Sequence, residues 1–310
     1  MRILAAFIAG MRPRQWTKNL VILLGILFAQ QATNWPLWQR SLAAFAIFCL
    51  LSGCIYLFND RMDLAADRRH PLKRRRPLAS GRLPLGALYA GLALLAPLAL
   101  LWSWRLGFNF FLLALVFFLI NLLYSVWLKH QVLLDVFGIA INFVLRAVAG
   151  VVVLAEHVVA GFADPGGSPV AAENVLLSPW LLVCTFFGSL FLAFAKRRSE
   201  LLSLDDPGKH RPVLALYTPA LLDQLLSLSA GTVILAYALY TLWPNTVARY
   251  GLGFLASNLC VDFAIMRYLF LVYRRELGGD PSELLFTDKP MLAAILIWLG
   301  FVIWKVGLPG

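Results

Sequence analysis

Of the 310 residues only four are cysteine and four histidine, acidic residues number 16 against 27 lysines and arginines, and charged residues of both signs make up 14% of the chain. Cys49, Cys54, Cys184 and Cys260 all sit inside apolar runs without metal-ligand spacing, so they read as small core residues and leave the redox compartment open. His70, His130, His157 and His210 share no spacing. No zinc site, histidine general base or Ser/His/Asp or Cys/His nucleophile is therefore expected. A cleavable leader is not expected either, because the short N-terminal apolar patch runs into Met11-Arg-Pro-Arg-Gln-Trp-Thr-Lys18 instead of a small-residue cleavage site. Nor is there an aromatic-basic groove of the soluble kind, and nucleic acid is not among the expected partners.

What is abundant is apolar sequence. A hydrophobic content of 61% is too high for a soluble domain and predicts an all-α polytopic membrane protein. Residues 1–15 form a short amphipathic lead-in. Nine stretches long enough to cross a bilayer follow, at about 17–34, 38–58, 84–104, 108–127, 133–156, 177–197, 219–243, 248–273 and 289–307. Assigning alternate loops to opposite sides puts 21 of the 27 basic residues on one side and four on the other. By the positive-inside rule the rich side is cytoplasmic, which places the N-terminus inside and the C-terminus outside. The expectation is one transmembrane domain over residues 1–310 in an integral, multi-pass membrane protein. The Gly/Pro-rich loop near 157–176 falls outside and reads as a spacer.

The charge is concentrated from Asn59 to Gly81, a segment that holds Asp60, Asp63 and Asp67 and is followed at once by Arg82. Were Asn59–Asp67 helical, Asn59, Asp63 and Asp67, as well as Asp60, Asp63 and Asp67, would line one face. Clustered carboxylates repel unless a cation lies between them, and hard oxygen ligands suit Mg²⁺ shared with substrate phosphates. The basic residues that follow would hold the rest of a polyanion. A plain topology signal would need the lysines and arginines but not the ordered carboxylates.

Two further groups are expensive inside a membrane and hence candidates. Tyr124, Ser125, Lys129, Asp135, Asn142 and Arg146 span the end of the fourth stretch and the fifth; either Asp135 pairs with Arg146, or Lys129 and Arg146 face anionic oxygens in a cavity. Lys196, Arg197 and Glu200, with Asp205, Asp206 and Arg211 after them, are either interfacial anchors or a phosphate clamp with a carboxylate behind it. Lys18 and Arg14 at the mouth of the first stretch are open in the same way. Metal, cations and a greasy interior suit a reaction in which pyrophosphate leaves and positive charge develops on carbon.

The motif Asn59-Asp60-x-x-Asp63-x-x-x-Asp67, with His70-Pro71 and Arg76-Pro77-Leu78-Ala79-Ser80-Gly81, resembles the aspartate-rich signature of the UbiA superfamily of intramembrane prenyltransferases. That resemblance implies nine helices around a central cavity with the charged loops inside. Within the superfamily the chain is more similar to the decaprenyl-phosphate phosphoribosyltransferases, on Arg12-Pro-Arg-Gln-Trp-Thr-Lys-Asn19, Tyr124-Ser125 with Lys129, Leu134-Asp135-Val136, Phe143-Val-Leu-Arg146-Ala-x-Ala149-Gly150, Lys196-Arg197 with Glu200, and Arg211 before Leu214 and Tyr217. The second aspartate-rich motif of the aromatic prenyltransferases is replaced here by Lys-Arg-Arg-Ser-Glu. The resemblance implies a reaction of polyprenyl phosphate with 5-phosphoribosyl 1-pyrophosphate. In it, Asn59 and Asp63 hold Mg²⁺, Asp60 and Asp67 support them, and Lys18, Tyr56, Lys73 and Arg76 surround the donor. Lys129, Arg146, Lys196 and Arg197, with Glu200 and Arg211, meet the remaining phosphates, undivided between lipid phosphate and 5-phosphate. Membrane lipid and a second copy of the chain are further expected partners. A prenyl transfer to an aromatic or glycerol-phosphate acceptor, and a lipid transporter or scaffold without turnover, are the competing readings.

Overall fold

Backbone polar groups in hydrocarbon must be satisfied within the chain, which favours helices wherever a long apolar run crosses a bilayer. The computed structural model describes residues 2–28, 34–159, 179–203, 212–274 and 287–307, and every regular element among them is helical. Among the described residues seven helices are long and apolar enough to span: Trp35–Met62, Leu85–Leu106, Phe108–Val126, Leu134–Glu156, Pro179–Leu202, Pro219–Leu242 and Leu252–Arg274. The nine-span expectation is therefore met in class and, among the described residues, not in number. Its first stretch is instead a 3₁₀ segment, Pro13–Leu23, followed by the short α2, Leu24–Phe28. The Arg-Gln-Trp-Thr-Lys-Asn run that opens this segment is polar, so its apolar part begins only at Leu20. The ninth stretch is a 19-residue helix, Lys289–Gly307. Arg211, Asp205, Asp206 and most of the 157–176 loop lie outside the described residues.

The chain divides into two compact units, residues 1–129 with 145–176 and residues 130–144 with 177–310. In the first, α1 (Arg2–Gly10), the 3₁₀ segment and α2 precede the 28-residue α3 (Trp35–Met62). The Asn34 side chain starts α3 by accepting from Leu37 N–H at 3.3 Å. Then come the short α4 (Leu64–Arg69), α5 (Leu85–Leu106) and α6 (Phe108–Val126). Pro71 pushes His70 into an extended conformation, φ −79° and ψ 131°, which ends α4. Buried Ile22, Phe48, Leu51, Phe110, Phe117 and Val153 form the principal core of this unit. Part of it comes from α7 (Leu134–Val159), whose glycine at 150 lets it lie directly on the carbonyl of Ile22.

The second unit takes the start of α7 together with α8 (Pro179–Ser203), α9 (Pro219–Leu242), α10 (Pro244–Tyr250), α11 (Ser257–Arg274) and α12 (Lys289–Gly307). Thr218 caps α9 by accepting from Leu221 N–H at 3.2 Å. Its core includes Phe191, Phe194, Leu222, Leu226, Tyr268 and Leu271. Asp288 fixes the start of α12, accepting from Met291 N–H at 3.0 Å while Arg267 grips both of its oxygens at 3.1 and 3.0 Å.

Candidate active site

The three aspartates do not share one helix face. α3 stops at Met62, Asp63 takes φ −89° and ψ 3°, and α4 begins afresh at Leu64. That break sorts the acids into two sets. Asp60 and Asp67 are each 2% exposed and are bridged by Arg76, whose Nη1 lies 3.2 Å from Asp60 Oδ1 and 2.6 Å from Asp67 Oδ2. Arg12 also donates to Asp60 and stacks over the ring of Tyr56, 5.1 Å from its centroid. A pair of enclosed carboxylates with two guanidiniums is electrically balanced, and removing either partner would strand a buried charge.

Asp63 belongs to the other set. Its side chain is 32% exposed, Oδ2 accepts from Asn59 Nδ2 at 2.9 Å, and Oδ1 accepts from Lys129 Nζ at 2.6 Å. Lys129 also donates to Asn59 Oδ1 at 3.3 Å and stands on the 3₁₀ turn Leu128–His130, just after α6. The expected metal pair, Asn59 and Asp63, is thus brought together, and the expected phosphate ligand Lys129 lies on it. Their oxygens are the hard donors that Mg²⁺ accepts alongside water and phosphate. Among the described residues no three His, Cys, Asp or Glu side chains converge on one point, so a cation here would draw two side-chain ligands from the protein.

Elsewhere in this unit Arg146 is 7% exposed. Its Nε donates to Asn19 Oδ1 at 2.7 Å, its guanidinium lies 4.8 Å from the Phe117 centroid, and Asn19 in turn reaches Cys49 Sγ at 3.3 Å. Lys18, next to Asn19, is exposed, while Tyr56 and Lys73 are half-buried. Sequence reasoning passed over Arg12 and Asn19 as site residues. Arg12 lies 48 positions from Asp60, and no spacing rule reaches that far.

The profile of the UbiA prenyltransferase family matches residues 19–287. The chain belongs to that family. It is 31% identical to decaprenyl-phosphate phosphoribosyltransferase of Mycolicibacterium smegmatis over 97% of this chain and 92% of that protein. The protein of the same name from Corynebacterium glutamicum is 32% identical, with 96% and 86% covered. A UbiA homologue from Archaeoglobus fulgidus bound to GPP and Mg²⁺ has the same fold, with a TM-score of 0.68 at 16% identity, 98% of this chain and all of that one being covered. This UbiA-family chain is accordingly an integral, multi-pass membrane protein and a transferase.

The second unit holds its own polar cluster at the end of α8. Asp135 is fully buried; Oδ2 accepts from Arg197 Nε at 2.7 Å and Oδ1 from the Tyr217 hydroxyl at 2.8 Å. Arg197, 2% exposed, also donates to Glu200 at 2.7 Å. Burial, opposed by the Leu133 N–H that the hydroxyl accepts, pushes the Tyr217 hydroxyl up from its ordinary range, with Asp135 adding to the rise, so it stays a donor. Leu133 itself is left-handed at φ 67°. Lys196, one residue before Arg197, is exposed.

Proposed function

We propose that this UbiA-family protein transfers phosphoribose from 5-phosphoribosyl 1-pyrophosphate to a polyprenyl phosphate, giving polyprenyl-phosphate 5-phosphoribose and pyrophosphate. A phosphate oxygen of the lipid forms the bond to C1 of the ribose, and the C1–oxygen bond to the diphosphate breaks, pyrophosphate leaving with the electron pair. The lipid phosphate is already an anion, so no strong general base is required.

The observation that carries this reading is the pairing of Asn59, Asp63 and Lys129 beside the balanced Asp60–Asp67–Arg12–Arg76 group. Asn59 and Asp63 are the residues that would hold Mg²⁺, which when bound neutralises charge on the leaving diphosphate. Asp60 and Asp67 support them by fixing Arg76. Lys18, Tyr56, Lys73 and Arg76 surround the donor, and Lys129 and Arg146 offer cations to its phosphates or to that of the lipid. In the second unit, Lys196 is an exposed cation, while Arg197 and Glu200 fix the end of the helix that carries it; Arg211 completes the proposed set. The names of the relatives agree with this reaction. So does the excess of basic residues, because a donor with a separate 5-phosphate and an anionic acceptor need more cationic contacts than a neutral aromatic acceptor. One transmembrane domain with its N-terminus in the cytoplasm is part of the same proposal.

The test supplies purified protein with Mg²⁺, labelled 5-phosphoribosyl 1-pyrophosphate and a polyprenyl phosphate. Labelled lipid and stoichiometric pyrophosphate are expected. Transfer only from a prenyl diphosphate to an aromatic or glycerol-phosphate acceptor would replace this reading, and no turnover with either donor would leave a scaffold or transporter.

A further inference from the structure

The three acids differ in what neutralises them. Asp60 and Asp67 are enclosed and share Arg76, while Arg12 adds a second guanidinium on Asp60. Asp63 is the most exposed of the three, and its partner is a lysine, a compact ammonium on a flexible stem. Lys129 does more than offset charge. It sits against Asp63 Oδ1 and Asn59 Oδ1, while the remaining carboxylate oxygen of Asp63 is occupied by the Asn59 amide. Those are the oxygens a divalent cation would need.

We infer that Lys129 is a resident counter-ion of the Asn59–Asp63 pair, one that opposes divalent-cation binding until the phosphates of a substrate draw its ammonium away. This rests on the proposed transferase reading for the identity of that substrate, although the competition itself is a property of the protein alone. An ammonium and a divalent ion on the same oxygens repel strongly at these separations, so each weakens the other. Once released, the lysine keeps its charge and its reach, and it becomes a phosphate ligand close to where it began. The arrangement gives Lys129 opposite effects on two measurable quantities. It weakens metal binding in the absence of substrate, and it assists turnover in its presence.

The experiment titrates Mn²⁺ into the purified full-length protein, with no sugar phosphate or lipid phosphate added, and follows the free-ion electron paramagnetic resonance signal. Lys129→Met and the more hydrophilic Lys129→Gln should each bind Mn²⁺ roughly tenfold more tightly than the wild type. Lys129→Arg should stay near the wild type, and adding Asp63→Asn to Lys129→Gln should remove the gain. With donor and lipid phosphate supplied, Met and Gln variants should turn over more slowly at saturating metal. A lysine that merely stabilised the fold would lower affinity and turnover together. Size-exclusion profiles select the variant that folds, so either the Met or the Gln protein suffices. Unchanged or weaker Mn²⁺ binding in a folded variant overturns the inference, and so does a lack of Mn²⁺ binding in every protein. Neither result touches the transferase reading, which stands or falls on labelled lipid product.

Discussion

Burial decides what each acidic residue contributes. Asp63→Ala removes a half-exposed carboxylate whose ion pair with Lys129 is worth at most about 1 kcal/mol. Turnover should fall roughly a hundredfold or more while the melting temperature stays near that of the wild type. Asp60→Ala takes away the enclosed carboxylate that Arg12 and Arg76 both contact and leaves Arg76 on Asp67 alone, and this should appear as a loss of thermal stability along with activity. Thermal unfolding beside the phosphoribosyl-transfer assay separates the two, and equal melting temperatures would contradict this division of roles. Arg12 offers a second contrast, because it has φ 54° and ψ 62° just before Pro13. A non-glycine residue in that region is strained by about 1–2 kcal/mol. Arg12→Gly should therefore be at least as stable as Arg12→Ala, although both lose the Asp60 contact. The signature residues were legible in the sequence because the chemistry confines oxygen donors and cations to a short segment. Their sorting was not, since it depends on a helix break at Asp63 and on an arginine far away in the chain.

At the level of the helices, close approach matters more than propensity. A Cβ on Gly150 would strike the carbonyl of Ile22, and one on Gly25 would strike Gly150 itself. Backbone cannot step aside as a side chain can, so Gly150→Ala should cost ~2 kcal/mol or more. Gly231, within α9, has open space around its missing Cβ, and Gly231→Ala should range from neutral to a gain of up to about 1 kcal/mol. Melting curves of the two variants in the same detergent check this, and similar curves would refute it. The helices themselves were readable because 18 or more apolar residues have few other folds available in a membrane. The internal course of the first stretch was less legible, because it combines a 3₁₀ segment, Pro13–Leu23, with the short α2, Leu24–Phe28. Nothing in the pattern of apolar residues marks the 3₁₀ course that brings Asn19 to Arg146. The end of α4 was recoverable from His70-Pro71 alone, but the Asp135–Arg197–Tyr217 cluster was not, because its members lie 62 and 82 positions apart.

For the whole molecule the uneven distribution of basic residues is the leading property. Single cysteines placed at Arg74 or Arg82 in a cysteine-free background should be labelled by an impermeant thiol reagent only from the cytoplasmic side, and those at Arg105 or Arg249 only from the other. The reverse pattern would invert the topology and with it the side from which a soluble sugar phosphate is drawn. Of the four basic residues assigned outside, Arg40 is turned into the protein, donating to the carbonyl of Leu106 and, at 3.2 Å, to that of Val153. Only three are left to compete for orientation. Carrying a positive charge across an energised membrane costs about 2.3 kcal/mol per 100 mV. An upside-down insertion would apply that cost to the 21 basic residues assigned to the cytoplasmic side. With the proposed cytoplasmic N-terminus, orientation would be redundantly encoded, and natural variation could reshape the arginine-rich loop for ligand recognition, one charge at a time, without endangering the way the protein enters the bilayer.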